Sequence, residues 1–571
     1  MRLASVALVL ALVPTAARAQ VAIHVGAIDP SAPLLPAHLF GLTMDAAGHD
    51  PQTLAPCCFE QMAQMRDAAW HVPGGASSLG FHWLSGRYGC DWRAAPEGMV
   101  CAPPAGDMAD GPSFDQFVAA TLGVRPPIVT VNWEASDQEI LNLVEYANAE
   151  APRFADPRWT PTSYAEDAAA PPGYFAWLRA ALPVGVKMWQ LGPPLFDPAV
   201  DDRRTGRDPV RYARRAAALI GAIHGRDPSS LVGVVGGDDT WDRAMLAALK
   251  AAGVTPNYFA HASRASCAPH AEDRAAAEAL MAEPDARAAD VARIRKRVGE
   301  VYGAWGDRIP LVLSEFNAAC APTAWETENI WGAIYVARQF GEALRLGYTA
   351  ASLYAVASPH DEPWGLFVGG LAGYSASWFG AALSSDLIVG ASRLIDLRID
   401  TDDAGAPALL SAYAVAEGAS ARRILLINRE VDRDLSVTLS FDDLVDGPLT
   451  IKTYDGSRGG TAASSAASAR FTLNDGPDVK YQHTDFAGQQ ILLPRLSIVV
   501  VVVTPGFFFA GDDPPFFDSD DFGPGPGPRG VAVQPASCGC RLGTAPGRDG
   551  FATTCGAALL LLLIHRRRAR R

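Results

Sequence analysis

Hydrophobic and polar positions along the chain follow two rhythms. Up to about residue 385, short apolar runs that end in polar residues alternate with longer stretches whose apolar residues recur every three or four positions. The short runs predict strands from Leu39 to Met44, Ala69 to Val72, Ile128 to Asn132, Val184 to Leu191, Leu231 to Gly236, Tyr258 to His261, Leu311 to Glu315 and Ala351 to Val356, because brief apolar segments bounded by turn signals suit strands buried on both faces. The longer stretches predict helices from Gln138 to Asn148, Pro209 to His224, Trp241 to Ala252, Ala286 to Trp305 and Thr327 to Leu346. In the fourth of these, Val291, Ile294, Val298 and Val301 recur at spacings of three and four, with Arg and Glu between them. Repeated strand-helix units imply a parallel sheet with helices outside. The strand count fits an eightfold barrel; a doubly wound open sheet is the competing architecture, and polar residues at the ends of many strands, not at one switch point, favour the barrel.

From Leu387 to Val503 the rhythm becomes short alternating strands, from Ala408 to Val415, Arg423 to Asn428, Leu435 to Phe441, Thr450 to Tyr454 and Ser497 to Val503, with Gly, Asp and Ser between them. That is the pattern of a β-sandwich. Val21 to Ile28 alternates like a strand and is a natural extra strand for it. The predicted fold is therefore α/β, a (β/α)8 TIM barrel over residues 37–386 followed by a C-terminal β-sandwich over 387–504, with residues 20–36 as the N-terminal strand that joins it.

The two ends of the chain change the picture. Arg2, the apolar run from Leu3 to Val13 and Ala17-Arg-Ala19 read as a secretory signal peptide, residues 1–19, which places the mature protein where disulfides are permitted. Cys90 and Cys101 flank a loop with Pro and Gly and are the most suitable of the possible pairs. Residues 505–536, with Phe-Phe-Phe, Asp-Asp-Pro-Pro and Gly-Pro repeats, read as a linker. Beyond it come Ser537-Cys-Gly-Cys-Arg541, an apolar segment from Phe551 to Ile564 and a terminal arginine cluster. The apolar segment is short against the roughly 20 residues that span a bilayer. These last 35 residues resemble the MYXO-CTERM sorting tail of predatory and social Gram-negative bacteria. The resemblance implies a secreted protein carried to the cell surface or outer membrane and attached to the envelope through its tail.

The net charge of -14 and pI near 5.3 exclude nucleic acid as a partner, since phosphate binding needs a concentrated basic face. No Cys/His spacing resembles a zinc site, so neither a metal nor a cofactor is expected. Oligomeric state is not legible.

The most pointed stretch is Ile309-Pro-Leu-Val-Leu-Ser-Glu-Phe-Asn317, an apolar strand that ends on polar groups. In a barrel the C-terminal strand ends form the active face, which makes Glu315 the first catalytic candidate; the plainer reading is a structural ion pair or a cap on the next helix. Asn132 and Trp133 end the third strand with an amide and an indole suited to a sugar ring, although a core tryptophan is as ordinary a reading. Trp189, His261 and Trp364, the last just after the eighth strand, complete the candidate substrate-binding set. Pro73-Gly-Gly75 allows close approach of backbone to a ligand or simply makes a turn.

Pro73-Gly-Gly75 with Trp83, Val131-Asn-Trp133 with Glu145-Tyr-Ala-Asn148, Trp189-Gln-Leu-Gly192 and Leu313-Ser-Glu-Phe-Asn317 together resemble the retaining glycoside hydrolases of clan A, nearest to the arabinofuranosidase-like families 51 and 39. The resemblance spans roughly Leu39 to Val503. It implies a barrel with catalytic carboxylates at the ends of strands four and seven, Glu315 matching the strand-seven nucleophile.

Strand four departs from the family. Its pattern there is Trp-Glu-Leu-Gly-Asn-Glu-Pro, whose last glutamate is the general acid/base, whereas this chain has Trp189-Gln-Leu-Gly-Pro-Pro-Leu195. Pro193 replaces the asparagine and Pro194 the acid/base. Glu134, Asp197, Asp238 and Asp239 are the carboxyls available to substitute, and nothing in the sequence selects among them. Two functions follow: a retaining glycosidase acting on poly- or oligosaccharide with Glu315 as nucleophile, or a glycan-binding surface protein on a hydrolase barrel that no longer cuts.

Overall fold

A computed structural model describes residues 19–45, 65, 68–84, 86–90, 101, 114–121, 127–150, 173–179, 183–196, 200, 202–265, 273–318, 325–356, 365–368, 373–388, 392–401, 409–418, 421–442, 448–455, 480–485 and 490–503. Residues 1–18 of the signal peptide, the linker, the sorting tail, Asp197 and Trp364 lie outside the described residues, and Ala19, the last residue of the expected signal peptide, already belongs to a strand. All described residues fall within one compact unit, and no helix among them is long and apolar enough to cross a membrane.

The N-terminal strand β1 (Ala19–Val25) belongs to the second domain. After it, β2 (His38–Asp45), β3 (Ala69–Gly74), β4 (Ile128–Thr130), β5 (Met188–Gln190), β6 (Leu231–Val235), β7 (Tyr258–Arg264), β8 (Leu311–Asn317) and β9 (Ala350–Tyr354) close a parallel barrel in that order, with β2 paired to both β3 and β9. The fourth strand is shorter than its apolar run predicts because Gly185 and Gly192, both at positive φ, turn the chain on either side of it.

Side chains alternate between two cores, as period-two strands require. Ile128, Met188, Val235, Tyr258, Ala260, Val312 and Ala350 fill the barrel interior as a cluster of their own. Their sequence neighbours Val129, Trp189, Val234, Phe259, Leu311, Leu313 and Ala351 face the larger cluster shared with the helices. Gly233 lies where a side chain would overlap the Tyr258 ring, leaving the interior to that tyrosine.

Five main helices are cut to length by local chemistry. Ser136 caps Asp137–Asn148, and Asp208 accepts from Val210 and Arg211 amides ahead of Pro209–Arg226 with proline in the first turn. Asp238 caps Asp239–Ala251. Arg287–Tyr302 stops at Gly303, at φ 64, three residues before the predicted Trp305. The predicted helix from Thr327 to Leu346 is two: Trp325–Glu328, then Ile330–Arg345, because Asn329 takes an extended conformation and caps the second. The shorter helices Phe114–Thr121, Tyr174–Leu178, Arg274–Ala282 and Ala376–Ser385 escape the sequence pattern.

Past a small hairpin of β10 (Phe367–Val368) and β11 (Gly373–Tyr374) come two antiparallel-dominated sheets. One contains β12 (Ser392–Ile395), β14 (Leu410–Glu417), β15 (Ala421–Asn428), β20 (Ser497–Val503), β17 (Pro448–Asp455) and β18 (Lys480–Asp485), in that spatial order. The other is β13 (Leu397–Thr401), β1, β16 (Leu435–Phe441) and β19 (Gln490–Leu493), with β1 antiparallel to β13 and parallel to β16. Their apolar inner faces enclose a separate core.

The sandwich bears on the barrel through the helix Ile330–Arg345. Tyr413 of β14 lies where a side chain on Gly341 would sit and donates its hydroxyl to Glu342 at 2.9 Å. Phe340 on that helix stacks edge-on against Phe316 of β8, ring centroids 4.9 Å apart. The second domain thus buttresses the strand that carries Glu315.

Candidate functional site

Glu315 is turned inward by a break in the ladder. Leu313 and Phe316 both lie in the outer core although they are three residues apart, which strict alternation forbids. The pairing register shifts on both sides of this stretch, at His261/Ala262 on β7 and between Leu313 and Phe316 against β9. One extra residue is thereby absorbed, as in a β-bulge, and such irregularities re-aim side chains. Glu315 ends 1% exposed, and its Oε1 accepts the Gly75 N–H at 2.8 Å.

Pro73-Gly-Gly75 therefore has a definite function, and each glycine has its own reason. A side chain on Gly74 would sit 1.8 Å from Thr43 Cγ2. Gly75 adopts φ 67, ψ -171, a region open essentially only to glycine, and this conformation aims its N–H at Glu315. On the far side, Asn317 donates to the Tyr354 carbonyl and its Oδ1 accepts from Ala318 N at 2.6 Å, tying strand seven to strand eight.

One layer deeper, His71 of β3 reaches two strands. Its Nδ1 lies 3.0 Å from the Ser314 carbonyl and its Nε2 2.6 Å from Thr130 Oγ1. A carbonyl only accepts, so Nδ1 carries the proton and Nε2 accepts from the threonine hydroxyl. Burial pushes the His71 pKa down to about 4, which keeps the ring neutral. Around it lies a polar layer of Thr43, Thr130, Gln190, Ser314 and Ser352, all buried. A cavity of about 150 Å³ opens past the ends of β7 and β8, lined by residues including Ala265, Leu280, Glu283, Ala318, Trp325 and Glu326.

The strand-four tip is different in kind. Gln190 points inward and donates to the Gly192 carbonyl at 3.0 Å. Gly192, at φ +84, passes so close to Trp133 that an added side chain would meet its Cβ at 3.1 Å. Pro193 and Pro194 follow, both buried, and the chain continues into core residue Leu195. Proline offers neither proton nor side-chain hydrogen bond.

Of the carboxyls available to substitute, those described are committed elsewhere. Glu134 is fully buried; its two oxygens accept the amides of Arg203 at 3.1 Å and Arg204 at 3.0 Å. Burial, then the adjacent Asp202, push its pKa up to about 8 against the opposing pull of Arg215. Asp202 in turn accepts from the Thr205 and Arg207 amides. Asp238 caps a helix through Trp241 N at 2.8 Å, and Asp239 pairs with Arg293 and Arg297.

The expected aromatic ring of the cleft is mostly core. Trp133 is fully buried, its ring tilted against Tyr212 at 4.6 Å, with the Arg215 guanidinium over it at 4.5 Å. Trp189 points outward from the barrel, fully buried, with its indole donating to Ser230 Oγ at 3.1 Å. His261 also faces outward: its Nε2 meets the Tyr348 hydroxyl at 2.7 Å, and burial, reinforced by Arg287 and Arg293, lowers its pKa to about 3. Asn132 spends its amide on the turn, donating to Phe81 O and accepting from Glu134 N and Ala135 N. These four therefore serve the scaffold, for a physical reason: each sits on the parity that faces the helices or at a turn needing a cap. Sequence reasoning missed His71 and Thr130 as partners of the site; Thr130 lies two residues beyond interior Ile128 on its strand, and His71 pairs in register with Ile128, which gives both the inward parity. The expected disulfide joins Cys90 and Cys101, and the Cys101 amide donates to the Glu134 carbonyl at 2.9 Å, at the turn that follows strand three.

No family model matches the sequence, and no curated protein does. Among solved structures, the fold is similar to an α-L-arabinofuranosidase from Thermotoga maritima in complex with arabinose, TM-score 0.63 and 15% identity over 85% of this chain and 100% of that one. It is also similar to the family 51 arabinofuranosidase of Xanthomonas axonopodis pv. citri, TM-score 0.61 and 14% identity, with the same coverage. A family 44 xyloglucanase of Paenibacillus polymyxa gives 0.54 and 11%, again over 85% and 100%. The chain therefore has the fold of the clan A glycoside hydrolases, an eight-stranded parallel barrel followed by a β-sandwich.

Proposed function

We propose that this is a secreted, surface-sorted glycoside-hydrolase-like protein that recognises a poly- or oligosaccharide at the C-terminal face of its barrel and retains the nucleophilic half of a double-displacement mechanism. The observation that carries this reading is Glu315: a carboxylate at the tip of barrel strand seven, re-aimed by a bulge and held by the Gly75 N–H. In retaining hydrolysis such a carboxylate attacks the anomeric carbon while a second carboxyl about 5–5.5 Å away protonates the leaving oxygen. With Pro194 at the family's acid position, and Glu134, Asp238 and Asp239 committed to other partners, none of these three serves as that donor. Attack by Glu315 is then productive only where the leaving group departs without a proton. Ordinary glycosides are bound and cut slowly or not at all, since general acid catalysis contributes about 10² to 10⁴-fold. Full hydrolysis of natural glycosides is the second reading, and it requires a donor from outside the described residues, Asp197 being the nearest in sequence.

The test uses aryl arabinofuranosides, xylosides, glucosides and galactosides carrying dinitrophenyl or unsubstituted phenyl groups, with the Glu315→Gln variant alongside. Turnover of a dinitrophenyl glycoside that disappears in the variant supports the nucleophile. Rapid turnover of the phenyl glycosides would favour the second reading. Polysaccharide binding with no turnover of any glycoside leaves recognition alone and removes the chemistry.

A further inference from the structure

We infer that His71 is a positioning residue for Glu315, acting through the strand-seven bulge. The inference rests on the reading above that Glu315 is the working carboxylate. Strand two of the barrel grips strand seven at two points four residues apart in its own sequence: the His71 imidazole donates to the Ser314 carbonyl at 3.0 Å, and the Gly75 amide donates to the Glu315 carboxylate at 2.8 Å. Strands one and eight lie between them, so both contacts cross the barrel interior instead of following the ladder.

The first contact falls where the ladder breaks. Pairing with β9 shifts between Leu313 and Phe316, so the Ser314 carbonyl sits within the irregular segment, and a buried carbonyl there needs a donor from elsewhere. His71 is that donor. Its other nitrogen is fixed by the Thr130 hydroxyl, at 2.6 Å on strand three, so the ring has one tautomer and one orientation. The residues facing it, Thr43 by register on strand one, Thr130 on strand three and Ser314 across the interior, are uncharged. A neutral ring in this setting is a strut: it holds the carbonyl of residue 314 and thereby the direction in which residue 315 leaves the bulge.

Two substitutions separate this from a general packing role. The amide nitrogen of asparagine reaches the place of the imidazole Nδ1, while that of glutamine reaches the place of Nε2. His71→Asn keeps the donor to Ser314 and drops Thr130; His71→Gln does the reverse. Hydrogen exchange at the Gly75 amide, read on the full-length protein by mass spectrometry, reports whether the Glu315 carboxylate still covers it. With His71→Asn, we expect Gly75 exchange and dinitrophenyl glycoside kcat to stay within about threefold of the parent. With His71→Gln, exchange rises about tenfold or more and kcat falls by about 10²-fold with KM within about twofold, as for a reacting group displaced by about 1 Å. Equal behaviour of the two variants, or a Gln variant with Gly75 still protected, overturns the inference. If the parent turns over no glycoside, the proposed chemistry fails, while the exchange comparison still decides whether His71 places Glu315.

Discussion

The tips of barrel strands seven and four differ in what surrounds them. Strand seven ends in a carboxylate supported on every side: a bulge that aims it, a glycine amide that binds it, Asn317 tying its strand to the next, and a helix braced by the sandwich behind it. Strand four ends in two buried prolines that run directly into the core. Both tips are well packed, so strand four is not a damaged version of strand seven. At strand seven, by contrast, Gly75 takes a conformation closed to other residues and in it presents its N–H to Glu315.

The largest effect that tests this asymmetry is at Glu315 itself. Glu315→Gln is expected to bring dinitrophenyl glycoside turnover to the uncatalysed level while leaving polysaccharide binding in place, measured by steady-state kinetics and affinity electrophoresis. Turnover that survives the change would mean that the supported carboxylate is not the nucleophile.

Next comes strand four. Pro193→Asn combined with Pro194→Glu is expected to raise phenyl glycoside turnover, at most by the roughly 10² to 10⁴-fold that a general acid contributes, and to leave kcat/KM for dinitrophenyl substrates nearly unchanged while raising their kcat, because the same residue takes the proton from the water that hydrolyses the glycosyl-enzyme. A parent enzyme that already cuts both classes at similar rates would show that a donor is present.

How much of this contrast was legible beforehand depends on the kind of signal. The eight barrel strands announce themselves as apolar runs, and the identity of Glu315 follows from its place at the end of one. The prolines at 193 and 194 are explicit in the sequence. The bulge is not: no residue in Leu313-Ser-Glu-Phe-Asn317 signals an extra position, and by simple alternation after Val312, an interior residue, Glu315 would face the helices. The tryptophans were misleading for the opposite reason. Trp133 and Trp189 sit near strand ends, but parity and the turn after strand three decide which side they occupy, and both are held by helix-side partners, Arg215 and Ser230, that are far away in sequence.

A smaller effect sharpens the role of the glycine. Gly75→Ala forces a side chain onto φ 67, ψ -171, at a cost of about 1–3 kcal/mol. Urea unfolding should show this as a lower midpoint with unchanged slope. Relaxation of the backbone would also withdraw the N–H from Glu315, so the variant should lose turnover beyond what its remaining folded fraction explains. Gly74→Ala, which meets Thr43 Cγ2 without any positive φ to relieve, is the control that destabilises by overlap alone.

The smallest effect concerns the carboxyl beside strand four. Glu134 has its folded pKa raised to about 8 from an ordinary value near 4.5, chiefly by burial and then by Asp202. Between those values the folded protein holds a proton that the unfolded chain has released, so the stability contributed by the protonated form is complete at low pH and is lost as pH rises through about 8. His71, depressed to about 4, works in the other direction: its contribution is present above the unfolded histidine value near 6.5 and is lost as pH falls through 4. Below about pH 6.5 the two slopes oppose each other, and above it the carboxyl slope stands without His71, limited to about 1.4 kcal/mol per pH unit for one proton. Asp242, raised to about 7 mainly by burial, adds to the same fall. Glu134→Gln, which mimics the protonated acid, should therefore flatten the decline in unfolding free energy between pH 6.5 and 8 without removing it, measured by urea titration across that range. An unchanged slope would mean that Glu134 is ionised in the folded protein, and a carboxylate at that position would then be held by the Arg203 and Arg204 amides against the charge of Asp202.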